Sequence, residues 1–156
     1  MKIEFWSVGK AHESFVKEGI ELYTKRITNY FPATWCLIAP PKVTTLSEPE
    51  QKEREAASIR PLLKEGDYLV ALDERGKSFT SEALGAFMEQ QAGSRIKRLI
   101  FLIGGAYGLD KTIVQRAQFT WSLSLLTFPH QLVRLILSEQ IYRACTILRN
   151  EKYHHR

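Results

Sequence analysis

The sequence predicts an α/β fold with a mainly parallel sheet and helices on both faces. Two observations point to this class. Short segments with the hydrophobic pattern of strands alternate along the chain with longer segments whose apolar residues recur at helical spacing. This alternation favours parallel strands, and such sheets bind ligands beyond the carboxyl ends of the strands. At 156 residues, with 44% hydrophobic and 25% charged positions, we expect a single domain spanning 1–156.

The first half of the chain predicts two strands and two helices. A strand, a helix and a second strand are expected at Ile3–Val8, Glu13–Tyr30 and Thr34–Ala39. Ser47 followed by Glu50 has the S-x-x-E form of a capping box, so a charged helix should begin there. Pro61 should then kink or end this helix.

The second half continues the alternation. Strands are expected at Tyr68–Leu72 and Leu99–Ile103, an extended apolar segment at Trp121–Leu126, and helices at Ser81–Gln91, from Asp110 through Ala117, and at Gln131–Asn150. Asp110 is the expected N-cap of the short helix. The strand ending at Leu72 should stop at the acidic, glycine-containing turn Asp73–Gly76.

Charge and cysteine usage narrow the functional class. A net charge of +5 favours an anionic partner such as nucleic acid. Cys36 and Cys145 have neither zinc-site spacing nor the density of a secreted disulfide scaffold, so we expect reduced, buried thiols and no metal. The amino terminus does not have the pattern of a signal peptide, and no stretch reaches the ~20 apolar residues of a membrane span. We therefore expect a cytoplasmic protein without membrane association.

A glycine cluster, IGGAYGLD at Ile103–Asp110, follows a predicted strand and precedes a predicted helix. Glycines at such a place let the backbone approach a ligand closely. The cluster is neither the G-x-G-x-x-G dinucleotide fingerprint nor a P-loop. Taken alone, it is equally consistent with a tight turn that needs positive φ angles.

A second segment, Trp121–Ala144, combines an apolar run, a T-F-P-H turn and a long helix. With the glycine cluster it resembles the SPOUT superfamily of knotted methyltransferases, and most closely the bacterial ribosomal large-subunit pseudouridine methyltransferase H family. The matching motifs span the chain: V-G-K at 8–10, the strand ending in Leu before an acidic turn at 68–73, I-G-G-x-x-G at 103–108, T-F-P-H at 127–130, E-Q-x-Y-R-A at 139–144, and Tyr-His at 153–154.

The resemblance implies a fold, a cofactor and a substrate. It implies a C-terminal deep trefoil knot, a homodimer, and S-adenosyl-L-methionine as the methyl donor. The expected reaction is methylation of N3 of a pseudouridine in 23S ribosomal RNA, within the large subunit or the assembled ribosome. The cofactor-binding positions that it implies are Leu72, Gly104, Leu123, Ser124, Leu125, Leu126, Thr127 and Phe128.

Catalytic residues are expected in the last helix and the tail. The candidates are Tyr153, His154 and Glu139, and the candidates for RNA binding are Arg134, Arg143, His130 and Arg156. A carboxylate at 139 could orient Arg143 one turn later or be a solvated charge, and the resemblance favours the first role. Without the resemblance, Tyr153 and His154 would be taken as a frayed end. With it, we expect them to stack on and hydrogen-bond the target base.

Several alternatives remain open at this level. His130 is more easily interpreted as a capping or packed imidazole than as a catalytic group. The acceptor of the N3 proton could be His154, Glu139 or water. Two other functions are possible: another SPOUT enzyme, methylating a ribose 2′-hydroxyl or a guanine in transfer RNA, or a noncatalytic, ribosome-associated RNA-binding protein.

Overall fold

Strands and helices alternate along the chain in the computed structural model, which describes residues 1–43 and 45–155. The strands are β1 (Lys2–Val8), β2 (Ala33–Ile38), β3 (Asp67–Lys77), β4 (Arg98–Ile103) and β5 (Phe119–Trp121). The helices are α1 (Ser14–Ile27), α2 (Glu48–Ile59), α3 (Ser81–Ala92), α4 (Lys111–Arg116) and α5 (His130–Leu148), and a 3-10 turn, Arg60–Leu62, follows α2. Within these residues, no helix has both the length and the apolar character needed to cross a bilayer.

The five strands form one sheet in the order β2-β1-β4-β3-β5, and every neighbouring pair is parallel. Successive side chains of a strand point to opposite faces. Phe5 and Phe101, which are register partners, therefore face one core, while Trp6 and Leu102 face the other. The predicted α/β class with a parallel sheet is confirmed, and the trefoil knot stays a prediction.

Helices cover both faces of this sheet. Buried residues of α1, α3 and α5 join the core that contains Phe5, whereas residues of α2 and α4 join the core that contains Trp6. α5 packs between its neighbours, against both α1 and α3. Ser47 accepts a hydrogen bond from the main-chain N–H of Glu50, and Asp110 accepts one from Thr112, so both predicted caps are confirmed.

The largest errors in the predicted boundaries, of five residues each, lie beside the carboxyl edge of the sheet. β3 does not end at Leu72, because Lys77 pairs again with Trp121 after an irregularity in the strand. β5 ends at Trp121, although the apolar run continues. The hydroxyl of Ser122 donates to the carbonyl of Ser124 at 3.0 Å, and such local bonds compete with strand pairing.

The two cysteines are free thiols. Cys145 is buried as expected, and burial raises its pKa to about 12. Cys36 is only half-buried, because it lies on β2, an edge strand of the sheet.

An ion cluster ties together three strands at the amino edge of the sheet. The guanidinium of Arg98 on β4 donates to Asp67 on β3 at 2.6 and 2.8 Å, and lies 3.3 Å from the carboxylate of Glu4 on β1. The Asp67 side chain is only 2% exposed. Burial by itself would raise the pKa of Asp67, but the bonds from Arg98 and from the Lys64 N–H lower it below its ordinary 3.8.

We predict that Arg98→Ala lowers the free energy of unfolding by about 3–5 kcal/mol, because it leaves the buried Asp67 carboxylate without its counter-charge. Arg60→Ala is the matched control: its ion pair with Glu53 is solvent-exposed, so the loss should stay below about 1 kcal/mol. Urea titration gives both values. Equal losses in the two variants would contradict the assigned role of Arg98.

The same cluster has a defined pH dependence. Because the folded pKa of Asp67 is lowered, its contribution to stability is complete above 3.8, the pKa of the unfolded carboxyl, and is lost as the pH falls toward the folded pKa. The difference in stability between the wild type and Arg98→Ala should therefore shrink as the pH is lowered below 3.8. A difference that stays constant through this range would exclude Asp67 as its source.

Candidate functional site

A cavity of about 680 Å³ opens beyond the carboxyl ends of β3, β4 and β5. Its wall is formed by Glu48, Lys52, Leu72–Arg75, Ile103–Leu109, Trp121–Ser124, Leu126–Phe128, His130 and Val133. A volume of this size is typical of small-molecule sites. The cavity lies where open parallel sheets bind their ligands.

The glycine cluster after β4 forms a compact turn on one side of this cavity. Gly105 and Gly108 form a bridge, with the Gly108 N–H donating to the Gly105 carbonyl at 3.0 Å. A Cβ on Gly104 would lie 2.8 Å from the main-chain carbon of Gly108, closer than real Cβ contacts. A side chain at 104 would therefore collide with the loop itself, and the first glycine of the pair is required by backbone packing.

The segment that follows β5, residues 122–128, forms the facing wall. Ser124 organises it, because its hydroxyl accepts from the Leu126 N–H at 3.0 Å while its carbonyl accepts from Ser122. Leu123 and Phe128 face the cavity. Leu125 does not face the cavity: it is 95% exposed, and the described residues of the wall do not include it.

The end of β3 adds a fixed carboxylate. The guanidinium of Arg75 donates two hydrogen bonds, both 3.1 Å long, to the two carboxylate oxygens of Asp73. Arg75 holds the pKa of Asp73 below its usual value. The cavity therefore has an ionised carboxylate in its wall, directly after Leu72.

Some polar residues of the cavity were not predicted from the sequence, namely Glu48, Lys52, Asp73, Glu74, Arg75 and Ser122. A signal for the first two exists, because they lie four positions apart in the helix that Ser47 caps and so share one face. Their contact with the cavity depends on how α2 packs on the sheet, which the local pattern does not specify.

His130 begins α5 and lies in the wall of the cavity together with Val133. The residue before it is Pro129, whose side chain makes no capping hydrogen bond. The expected capping role of His130 is not observed at the N-cap position. A contact with RNA stays a prediction for this residue.

The tail is packed against α5. Tyr153 donates to the carboxylate of Glu139 at 3.2 Å, and its ring lies under the guanidinium of Arg143, 4.8 Å from its centre. Arg143 also pairs with Glu139, at 2.8 Å. The Tyr153 ring further contacts Tyr142 edge-on. Glu139 thus orients Arg143, as the favoured interpretation requires, and it also holds the tail.

The surroundings of Tyr153 and His154 indicate which of their polar atoms carry a proton. Burial and the charge of Glu139 raise the pKa of Tyr153 to about 12, so its phenol is protonated at neutral pH. His154 lies 3.1 Å from Arg143 through Nδ1 and 3.1 Å from Glu82 through Nε2. Because arginine only donates, Nδ1 accepts and Nε2 carries the proton.

The tail and the cavity are separate within one chain. Glu139 lies nine positions after His130 on α5, which corresponds to about 13.5 Å along the helix axis. The described residues of the cavity wall do not include Glu139, Arg143, Tyr153 or His154. One chain therefore brings together the cofactor candidates except Leu125, but it does not bring the catalytic candidates to them.

The phosphate-binding role expected of Arg134 needs correction. Arg134 is 1% exposed, and it donates to the Ser7 hydroxyl at 3.0 Å and the Lys10 carbonyl at 2.9 Å. It does not share a face with Arg143, because nine positions on a helix amount to two and a half turns. Arg134 stabilises the turn after β1. Arg156, the last RNA-binding candidate, lies outside the described residues.

Comparison with known proteins places this arrangement in a family. The family model described as "Predicted SPOUT methyltransferase" matches residues 1–154. Two curated relatives carry the name Ribosomal RNA large subunit methyltransferase H. The protein from Cytophaga hutchinsonii is 44% identical over 155 residues, covering 99% of this chain and 100% of its own. The protein from Parabacteroides distasonis is 46% identical over 156 residues and 99% of each chain.

Solved structures support the fold at low sequence identity. A probable methyltransferase from Bordetella pertussis Tohama I matches with a TM-score of 0.58 at 13% identity, covering 92% of this chain and 94% of its own. A probable methylase family protein from Haemophilus influenzae Rd KW20 matches with a TM-score of 0.53 at 11% identity, covering 99% and 70%. With a family model that spans nearly its whole length and relatives above 40% identity, the chain belongs to the SPOUT methyltransferase family.

Proposed function

We propose that the protein uses S-adenosyl-L-methionine to methylate N3 of a pseudouridine in 23S ribosomal RNA of the large subunit, in the cytoplasm. One observation carries the proposal. The segments at Leu72, Gly104 and 122–128, far apart in sequence, converge on one cavity of about 680 Å³. They include the cofactor positions that the family resemblance implies, Leu72, Gly104 and Leu123–Phe128, of which only Leu125 is not part of the cavity wall.

The residues of the cavity suit this cofactor. Leu72, Leu123 and Phe128 offer apolar surface for an adenine ring and a thioether chain. Main-chain groups of the glycine cluster offer hydrogen bonds, and the ionised Asp73 favours a ligand with hydroxyl groups or positive charge. When bound, the cofactor would supply an electrophilic methyl group on a positively charged sulfur. The protein would align the nucleophile with that group and exclude water.

Ribosomal RNA is the substrate class that the relatives' names favour, and a net charge of +5 suits an anionic partner. We propose that Tyr153 and His154 contact the base, and that Glu139 and Arg143 position them. Both nitrogens of His154 are engaged in the docked tail. His154 can therefore accept the N3 proton only after RNA displaces the contact with Arg143.

A homodimer reconciles the separate tail and cavity. In a symmetric pair, the tail of one chain can reach the cavity of the other. Leu125 and Leu126, at the rim of the cavity, are 95% and 70% exposed, and large side chains of this type are commonly buried in interfaces. Phe15, at the start of α1, is 67% exposed, and the bond from the Glu13 N–H to Gln131 brings the start of α1 beside the start of α5.

We predict that Gly104→Ala weakens binding of S-adenosylhomocysteine, the demethylated cofactor, at least roughly tenfold while the circular dichroism spectrum is kept. The reason is the collision with the Gly108 backbone, which distorts the loop rather than filling ligand space. Gly93→Ala is the control, since its Cβ would meet nothing closer than 3.6 Å. Calorimetric titration measures both affinities, and an unchanged affinity in Gly104→Ala would remove this loop from the site.

We predict a solution mass twice the 18.0 kDa of one chain. Leu125→Asp should shift the protein toward monomer, because it places a charge in the proposed interface. Leu62→Asp, at an exposed leucine in the 3-10 turn after α2, should leave the dimer intact. Light scattering distinguishes these cases, and a wild-type monomer at working concentrations would contradict the dimer.

We predict that deletion of 153–156 abolishes methyl transfer to ribosomes and leaves S-adenosylhomocysteine affinity nearly unchanged. Tyr153→Phe, which keeps the ring but loses the bond to Glu139, should retain part of the activity. His155→Ala, at an exposed neighbour, is the control.

Mapping the methylated nucleotide tests the substrate. Methylation of a transfer RNA would indicate the alternative function, a SPOUT enzyme that acts on transfer RNA. Cofactor binding without methyl transfer to any RNA would contradict the proposed reaction.

Mixed dimers test whether the tail acts on the partner's cavity. The tail deletion is mixed in equal amounts with Gly104→Ala and assayed at a cofactor concentration that leaves the weakened Gly104→Ala cavity nearly empty, so that each variant alone is nearly inactive. After subunit exchange, the mixture should regain about a quarter of the wild-type activity under the same conditions. This value follows because half of the dimers are mixed and each mixed dimer has one complete site. A tail that serves its own chain would give no recovery, since neither subunit then has both parts.

A further inference from the structure

A buried carboxylate lies behind the glycine cluster. Glu55, on α2, is 4% exposed. It shares one face of α2 with Glu48 and Lys52, at positions i, i+4 and i+7, and those two residues line the cavity. α2 therefore forms part of the cavity wall with its first two turns and meets the glycine cluster with its third.

The contact between Glu55 and Gly105 is close and specific. The Glu55 carboxylate lies against the main chain of Gly105, whose N–H acts to lower its pKa, and the side-chain amide of Gln51 donates a hydrogen bond to it at 3.3 Å. A Cβ on Gly105 would lie 2.5 and 2.7 Å from the two carboxylate oxygens. The second glycine of the pair is thus required by a side chain from α2, whereas Gly104 is required by the loop's own backbone.

Burial of this carboxylate is unfavourable without those donors. Burial raises the pKa of Glu55, while the hydrogen bonds from Gln51 and Gly105 act in the opposite direction. A buried carboxyl group with few partners strongly favours the geometry that keeps those partners. The Gly105 N–H is therefore held in one direction before any ligand arrives.

We propose that Glu55 is a positioning residue that presets the Gly104–Gly108 loop for the cofactor. The inference rests on the proposed function, because it assigns the loop to cofactor binding. Main-chain groups of a loop bind a ligand well only when their geometry is fixed in advance. Glu55 supplies this rigidity from outside the loop without contacting the ligand.

The test compares three variants of α2. Glu55→Ala removes the acceptor, Glu55→Gln keeps an oxygen acceptor without the charge, and Glu53→Ala removes an exposed carboxylate that pairs with Arg60. Hydrogen exchange of the Gly105 amide is measured by nuclear magnetic resonance in the cofactor-free protein. S-adenosylhomocysteine affinity is measured by calorimetry, and unfolding temperature by circular dichroism.

We expect Glu55→Ala to accelerate Gly105 exchange and weaken affinity at least roughly tenfold each, given the cost of leaving a buried donor without its acceptor. Glu55→Gln should recover most of both, and Glu53→Ala should match the wild type. A lower unfolding temperature in Glu55→Ala with unchanged exchange and affinity would overturn the proposal, since packing alone would then explain the residue. Failure of the wild type to bind S-adenosylhomocysteine would instead contradict the cofactor assignment. The exchange rate of the Gly105 amide would still show whether Glu55 fixes the loop.

A double-mutant cycle gives an independent check. Gly105→Ala should weaken affinity strongly in the wild-type background, because its Cβ collides with the carboxylate. The same substitution should cost much less in the Glu55→Ala background, where the colliding group is gone. Equal effects in both backgrounds would show that Glu55 and Gly105 are not coupled and would overturn the proposal.

Discussion

Parallel pairing of β3 with β4 and β5 is the constraint on which the site depends. Leu72 of β3 is in register with Ile103 and Trp121, the last residues of β4 and β5, so the segments that follow these three residues must leave side by side. They share the cavity of about 680 Å³ and supply most of its wall. The separate sequence motifs at 72, 104 and 122–128 become one site only because the strand register aligns their ends.

Each wall segment is held by bonds that do not involve the ligand. Asp73 is fixed by Arg75, the 122–128 segment by Ser124, and the glycine cluster by Glu55. Polar groups of this kind are costly to bury unless they are satisfied. Their mutual satisfaction accounts for a cavity with a defined shape, and rigid walls are what a site for accurate alignment requires.

α5 connects this cavity to the tail and also separates them. Its first turn contributes His130 and Val133 to the wall, whereas Glu139 and Arg143, further along, hold Tyr153 and His154. The helix is rigid because it is packed between α1 and α3. The distance between the two groups is therefore fixed within one chain, and the homodimer proposed above is what would bring them together.

Local sequence patterns and the family motifs were enough to predict most of the strands and helices and most of the cofactor positions. Alternation between two faces predicted β1, a continuous apolar run predicted β4, and Ser47 predicted the start of α2. The motifs indicated Leu72, Gly104 and the segment after β5 as cofactor positions. These features depend on neighbours in sequence or on a recognisable family signature. Tertiary structure alone decided the burial of Arg134, whose partner Ser7 lies 127 positions away, and the contact of Glu55 with Gly105. A charged residue on a helix has the same local pattern whether it is solvated or buried, so only the packing of distant elements distinguishes the two.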